Sequence, residues 1–313
     1  MAIRAFAESG GLDRLRAKGW ASAEELLDGA SAEVGRGFLT YLRVSGVLDE
    51  WDGRFRLTPR GTLLTSEISL ARVGFYVEAY GPVTRRMGDL LTGRATYGQD
   101  VVRAGGPLSR HSGAVTAVSY VGLVAEALAG RQPRSVLDLG CGDGSLLIRL
   151  CALHPELSVV GIDISPDAVE AARSNSRQAG LEGRAVFEVA DAFSPDTWPR
   201  SASDADAVIG VGVLHELFRD GEDAVIAILD RLAETLTDGQ VFLLGEPELR
   251  YDNRANDSDF FLVHVLTNQG TPRDRTAWLN VFRKSRLTCE RVFTNAVAGP
   301  RTCFYELSAR GAA

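Results

Sequence analysis

The sequence predicts an α/β protein. An open, mostly parallel sheet of seven strands carries helices on both faces, and a helical module with one small hairpin precedes it. Three observations predict this. From Arg134 onward, short apolar runs alternate with segments of helical spacing, the rhythm of strand–helix–strand units with right-handed crossovers. The first of those runs enters a glycine-rich turn, Ser135-Val-Leu-Asp-Leu-Gly-Cys-Gly-Asp-Gly144. Before Arg134 helical spacing dominates, and only Val47–Leu57 alternates, around Asp52-Gly53, a hairpin signal.

The elements follow in order. Ala2 to Ala17 has apolar residues at helical spacing, and Ser22-Ala-Glu-Glu25 is a capping box ahead of Leu26 and Leu27. Phe38, Leu39, Leu42 and Val44 suggest a longer helix ending near Gly46. Helix-turn-helix followed by a hairpin is a winged-helix pattern over residues 1–64. Its candidate recognition helix is not especially basic, which favours packing or dimerisation over DNA binding. Residues 65–131 read as a helical connector, broken at Gly105-Gly-Pro107 and closed by Gln132-Pro133. Residues 132–313 form the sheet domain. Its expected strands are Ser135–Leu139, Ser158–Ile162, Ala185–Val189, Ala207–Val211 and Gln240–Leu244, with helices at Ala168–Ala179 and Ala224–Leu236. A long insert follows Glu246. Asp274–Ser285 reads as a further helix, and Cys289–Phe293 and Thr302–Leu307 as an antiparallel edge.

Composition narrows the function classes. The chain has 313 residues, a formal net charge of -7 and a pI near 5.3. An acidic chain without a basic block is a poor nucleic-acid binder. No apolar run approaches the roughly 20 residues that span a bilayer, and the N-terminus lacks the pattern of a signal peptide. The four cysteines are scattered and never paired as Cys-x-x-Cys. The expectation is a cytoplasmic protein with reduced thiols and no membrane partner.

In a doubly wound sheet, ligands sit beyond the C-terminal strand ends. The first strand ends in Gly140-x-Gly142-x-Gly144, preceded by Asp138; the glycines let backbone N–H groups approach a ligand. The second ends at Asp163-Ile164, where the carboxylate is placed to accept from ribose hydroxyls. The third ends at Asp191-Ala192-Phe193, suited to an adenine amino group and ring. These features argue for a nucleoside ligand. Asp138 and Asp143 bracket the turn; acids there repel a pyrophosphate and suit a cationic amino-acid moiety, as in S-adenosylmethionine.

Asp138-Leu-Gly-Cys-Gly-Asp-Gly144, with Asp163 and Asp191, resembles the class I S-adenosylmethionine-dependent methyltransferases, over about Arg134 to the C-terminus. The resemblance implies a Rossmann-like seven-stranded domain. With its helical N-terminal half, the chain is similar to the small-molecule methyltransferases whose winged-helix module makes a homodimer.

The acceptor chemistry is expected after the fourth strand, at Gly212-Val-Leu-His-Glu-Leu-Phe218. In the small-molecule O-methyltransferases a His here is the general base and begins His-Asp-Trp, where this chain has His215-Glu216-Leu217. His264 lies in an apolar stretch of the insert, and an imidazole there is costly without a partner. His215, Glu216 and His264 together would make a two-His, one-carboxylate set for a divalent metal, Fe(II) or Zn. The chain thereby also resembles the metal-dependent α-keto acid C-methyltransferases, which implies those three ligands and methylation of the β-carbon of a small α-keto acid. Glu216 departs from the Asp usual in that family. Metal-free methylation of an indole or a phenol, with His215 as base, is the alternative. Glu246 is expected to orient His215, Arg273 to pair with a substrate carboxylate, and Tyr76 and Tyr80 to reach the pocket from the connecting helices, as do Arg110 and His111.

Overall fold

The structure is a computed structural model describing residues 1–203, 205–237, 239–248, 258–268, 270, 273–294 and 301–310. The chain forms two compact units, Met1–Glu78 and Ala79–Ala313.

In the first unit the expected 2–17 helix is two helices, Ala2–Glu8 and Gly11–Lys18. Gly10 between them takes a left-handed φ of 73°, which ends the first helix and re-aims the chain. The capping box is present: Ser22 Oγ accepts from Glu25 N–H at 3.3 Å and Glu25 Oε2 from Ser22 N–H at 2.8 Å. The two-residue strand β1 (Ala21–Ser22), which the sequence did not signal, joins the hairpin β2 (Leu48–Trp51) and β3 (Arg54–Leu57) in the order β1-β3-β2. Asp52 and Gly53 at the turn both have positive φ, 48° and 71°, as a type I′ connection requires. Phe6, Leu12, Leu15, Leu26, Leu39, Leu42 and Phe55 pack as this unit's core.

The second unit is built on a seven-stranded sheet. Its strands are β4 (Ser135–Leu139), β5 (Ser158–Asp163), β6 (Ala185–Val189), β7 (Ala207–Val211), β8 (Val241–Glu248), β9 (Leu287–Thr294) and β10 (Arg301–Ala309), in the order β6-β5-β4-β7-β8-β10-β9. The first five are parallel, and β10 and β9 are antiparallel, as expected for the edge. Strand order reverses between β5 and β7, on either side of β4, and that puts the switch point at the glycine turn. Alternation sorts the side chains onto two buried faces. Val136, Ile209, Val241 and Leu243 pack into one core with Leu147 and Val159. Leu137, Val208, Phe242 and Leu244 pack into the other with Trp278 and Phe282. Covering both faces is what a parallel sheet needs.

β8 runs to Glu248, four residues past the expected end at Leu244. Pairing with β10 continues to Glu248 opposite Arg301, through Gly245 and Pro247. The extension carries Glu246 and Glu248, both buried, into the strand end. Among the described residues no single helix is long and apolar enough to cross a membrane. All four cysteines are free, and three of them are buried.

Candidate active site

The glycine turn is tied to β5. Gly140 and Cys141 N–H both donate to Ile162 O, at 2.9 and 3.0 Å, and Gly142 N–H donates to Asp163 Oδ2 at 3.0 Å. Gly140, Gly142 and Gly144 all have positive φ, 73°, 57° and 75°, where a side chain is strained. Asp143 Oδ1 accepts from Ser145 N–H, the first of the next helix, at 3.1 Å. Burial holds the carboxyls of Asp138 and Asp143 above the usual carboxylate range, for Asp138 with the negative charge of Asp163 added. The turn is therefore walled by acid groups held short of full hydration.

Asp163 and Asp191 are set rigidly. Asp163 Oδ1 accepts from Ser165 N–H at 2.9 Å. Asp191 accepts from Phe193 N–H at 2.9 Å and Ser194 Oγ at 2.8 Å. Each carboxylate oxygen keeps a second lone pair for a ligand. Ile164 is 72% exposed at the end of β5, while Ala192 is buried and Phe193 packs at the edge of the core.

Beyond β7 and β8 a second cluster forms. Glu246 is fully buried and both of its oxygens accept: Oε1 from Leu214 N–H at 2.7 Å and Val213 N–H at 3.2 Å, Oε2 from His215 Nδ1 at 2.7 Å. The insert helix Ser258–Thr267 brings His264 to the same place. Its Nδ1 donates to Phe260 O at 2.7 Å, and its Nε2 stands 3.1 Å from His215 Nε2. Both imidazoles are buried, and burial, then the charges of His215 and Arg103, pushes the His264 pKa down to about 3. With both Nδ1 atoms donating, two neutral rings would turn Nε2 lone pairs toward each other. Two facing lone pairs repel, so the pair calls for a proton or a metal cation between them.

Glu216, next in sequence to His215, turns elsewhere. Its Oε1 accepts from Arg103 Nη1 at 3.0 Å, and the same nitrogen lies 3.3 Å from the buried Tyr80 hydroxyl. Among the described residues no group of three or more His, Cys, Asp or Glu side chains is assembled for a metal. Tyr80 thus lies near the pair through Arg103. Tyr76 belongs to the first unit, where its ring meets Phe75 edge-on at 5.1 Å. Arg273 is exposed and lies over the Phe218 ring at 4.8 Å. His111 is buried and Arg110 exposed on the helix Gly105–Ser119.

Three participants escaped sequence reasoning. Arg103 lies in an irregular stretch 113 positions from Glu216, and no local pattern marks it. Ser109 Oγ is buried with no hydrogen-bond partner among the described residues, and a Cβ built on Gly142 would stand 3.4 Å from it. Gly270 has φ 80°, and a Cβ there would stand 2.5 Å from His215 O and 2.9 Å from Glu216 O. Gly270 thus lets the chain after the insert helix rest on the His215–Glu216 backbone.

The strand order, the glycine turn at its switch point and the acids at the next two strand ends define a class I methyltransferase fold, and the chain is an S-adenosylmethionine-dependent methyltransferase. Residues 132–270 match the family described as methyltransferase domain. The chain is 29% identical to the 2-ketoarginine methyltransferase of Streptomyces arginensis over 96% of its own length and 90% of that protein. It is 25% identical to the indolepyruvate C-methyltransferase of Streptomyces griseus over 82% of its length and 74% of that protein. Human N-acetylserotonin methyltransferase, solved with S-adenosylmethionine, shares the fold with a TM-score of 0.72 at 18% identity, over 98% of this chain and 93% of that one. The methyl donor suits the turn: the unpartnered Ser109 hydroxyl beside Gly142, the raised acids and the exposed Ile164 offer a polar end and an apolar surface to its two halves.

Proposed function

We propose that this enzyme methylates the β-carbon of a small α-keto acid in specialised metabolism, using a divalent cation, Fe(II) or Zn, held by His215 and His264 with Glu216 as third ligand. The observation that carries the reading is the 3.1 Å approach of the two Nε2 atoms with both Nδ1 atoms occupied. Imidazole nitrogens bound to one ion at ~2.1 Å stand about 3.0 Å apart at a right angle and about 3.4 Å apart at a tetrahedral angle. The carboxylate and carbonyl behind the two rings are the outer partners that fix ligating histidines. A bound cation would supply Lewis acidity to the keto oxygen and carboxylate of the acceptor, making its β-proton acidic. The relatives named for 2-ketoarginine and for indolepyruvate, both α-keto acids, support that class of acceptor.

In this reading the chain's own residues position the reactants. The glycine turn, Asp163 and Asp191 hold the donor beyond β4–β6, and Glu246 and Phe260 O aim the two imidazoles. Such alignment is worth on the order of 7–11 kcal/mol in well-oriented cases. Residues 1–64 are assigned as a winged-helix dimerisation module, supported by Val34, Tyr41 and Val44, which stay 66, 58 and 75% exposed on the helix Ala32–Val44 at coiled-coil spacing.

A second reading rests on the 2.7 Å bond between His215 and Glu246. In it the dyad removes an N–H or O–H proton from an indole or a phenol, without metal. One experiment separates the two. Protein purified without chelators is assayed for metal and for turnover on α-keto acids, indoles and phenols, before and after chelation. Stoichiometric metal and chelator-sensitive turnover of an α-keto acid support the first reading. Absence of metal with undiminished turnover of an indole or phenol sinks it.

A further inference from the structure

We propose that Arg103 is a latch on Glu216, opened by the carboxylate of the acceptor, so that anion and cation bind this site cooperatively. The inference rests on the cation reading above and deepens it. Arg103 lies just before the helix Gly105–Ser119, and Ala104 N–H donates to Ala79 O at 2.8 Å, which fixes this stretch beside Tyr80. There Arg103 Nη1 reaches Glu216 Oε1 at 3.0 Å and Tyr80 Oη at 3.3 Å. Glu216 is thus the residue beside His215 and yet is held on a cation of its own. While that bridge stands, the carboxylate is committed and the two imidazoles face each other as a two-ligand site.

Charge decides when the bridge opens. Both partners are about three-quarters buried, with side chains 24% and 26% exposed. Parting them alone would take from each charge its opposite in a poorly solvated place, which is unfavourable. If a metal cation takes Glu216 while a substrate carboxylate takes Arg103, every charge keeps a partner. A guanidinium suits this exchange, because its planar fork accepts one carboxylate in place of another. The partial exposure leaves room for a solute to reach the pair. Cation and anion then favour each other reciprocally. The anion selected is a monocarboxylate small enough to lie beside Tyr80, and an uncharged acceptor gains nothing from the exchange.

The test measures Co²⁺ affinity by competition with a chromophoric chelator, with and without 3-phenylpropanoate, a carboxylate without a keto group to chelate. The wild type, R103M, E216Q and the double variant are compared after thermal melts confirm that each is folded. R103M is expected to bind Co²⁺ about tenfold more tightly than wild type, within the usual range of coupling between sites. 3-Phenylpropanoate is expected to tighten Co²⁺ binding to wild type and to leave R103M unchanged. In the E216Q background, R103M should have no effect. The latch is overturned if R103M binds no more tightly, or if the same gain persists with E216Q, since that gain would be simple relief of charge repulsion. Should wild type bind Co²⁺ while R103M gains nothing, the latch alone falls. Should no variant bind Co²⁺, the cation reading falls with it.

Discussion

His215 Nδ1 meets Glu246 Oε2 at 2.7 Å, joining the segment after β7 to the buried end of β8. The same carboxylate holds the Val213 and Leu214 N–H groups through its other oxygen. Glu246→Gln keeps the shape but turns an NH₂ donor toward a donor already there. One buried group is left unpaired, at about 1–3 kcal/mol. A lower melting temperature and a turnover loss of at least about tenfold are expected. A variant with wild-type stability and rate would show that the bond does not orient the imidazole.

His264→Leu separates the two readings of the site. The replacement is apolar and of similar size, in a place where the imidazole is buried. The fold should survive, as near-ultraviolet circular dichroism can check. Metal content should fall from one equivalent to near zero, with activity reduced by about two orders of magnitude or more. If His215 and Glu246 act alone as a base, turnover barely changes.

Gly270→Ala tests the seat of the insert. The new methyl would stand 2.5 Å from His215 O at a φ of 80°, so the backbone of one segment must give. A loss of about 1–3 kcal/mol is expected, together with weakened Co²⁺ binding, because both segments carry a histidine of the pair. Unchanged Co²⁺ affinity in a folded variant would mean that the segments are positioned independently.

Asp138→Asn probes the acid beneath the glycine turn. Burial and the charge of Asp163 raise its pKa in the folded state. The folded protein then holds the proton over a pH range where the unfolded chain has lost it. Stability falls as pH rises through that range, so at neutral pH the buried Asp138 carboxyl is a net cost. The variant should melt a few degrees above wild type at pH 7, and the gap should close toward pH 4. It should also bind S-adenosylmethionine more weakly, by equilibrium dialysis. A melting difference independent of pH would contradict the assigned cause.

Gly144→Ala addresses the turn itself. Its Cβ would stand 2.8 Å from the Phe187 ring at a φ of 75°, whereas a Cβ on Gly142 would meet, among the described residues, only Ser109 Oγ at 3.4 Å. Gly144→Ala should therefore destabilise the fold more than Gly142→Ala, each paying about 1–2 kcal/mol for the left-handed backbone. Equal melting temperatures for the two would show that the Phe187 contact relaxes freely.

The alternation of apolar runs from Ser135 to Leu307 carries the sheet, because side-chain direction in a strand is set by the backbone period alone. The glycine turn and the acids at the ends of β5 and β6 were legible for the same reason: topology sends strand ends to one edge. Residues 249–257 of the insert and Pro272 lie outside the described residues. What the sequence by itself determined is the methyl-donor fold, since local spacing suffices for it. What only the tertiary structure decided is the company each charged group keeps. The expected approaches of Glu246 and His264 to His215 are both present, whereas Glu216, expected beside them, goes to Arg103. Electrostatic partners are chosen by proximity in space, and no spacing along the chain encodes a pairing across 113 positions.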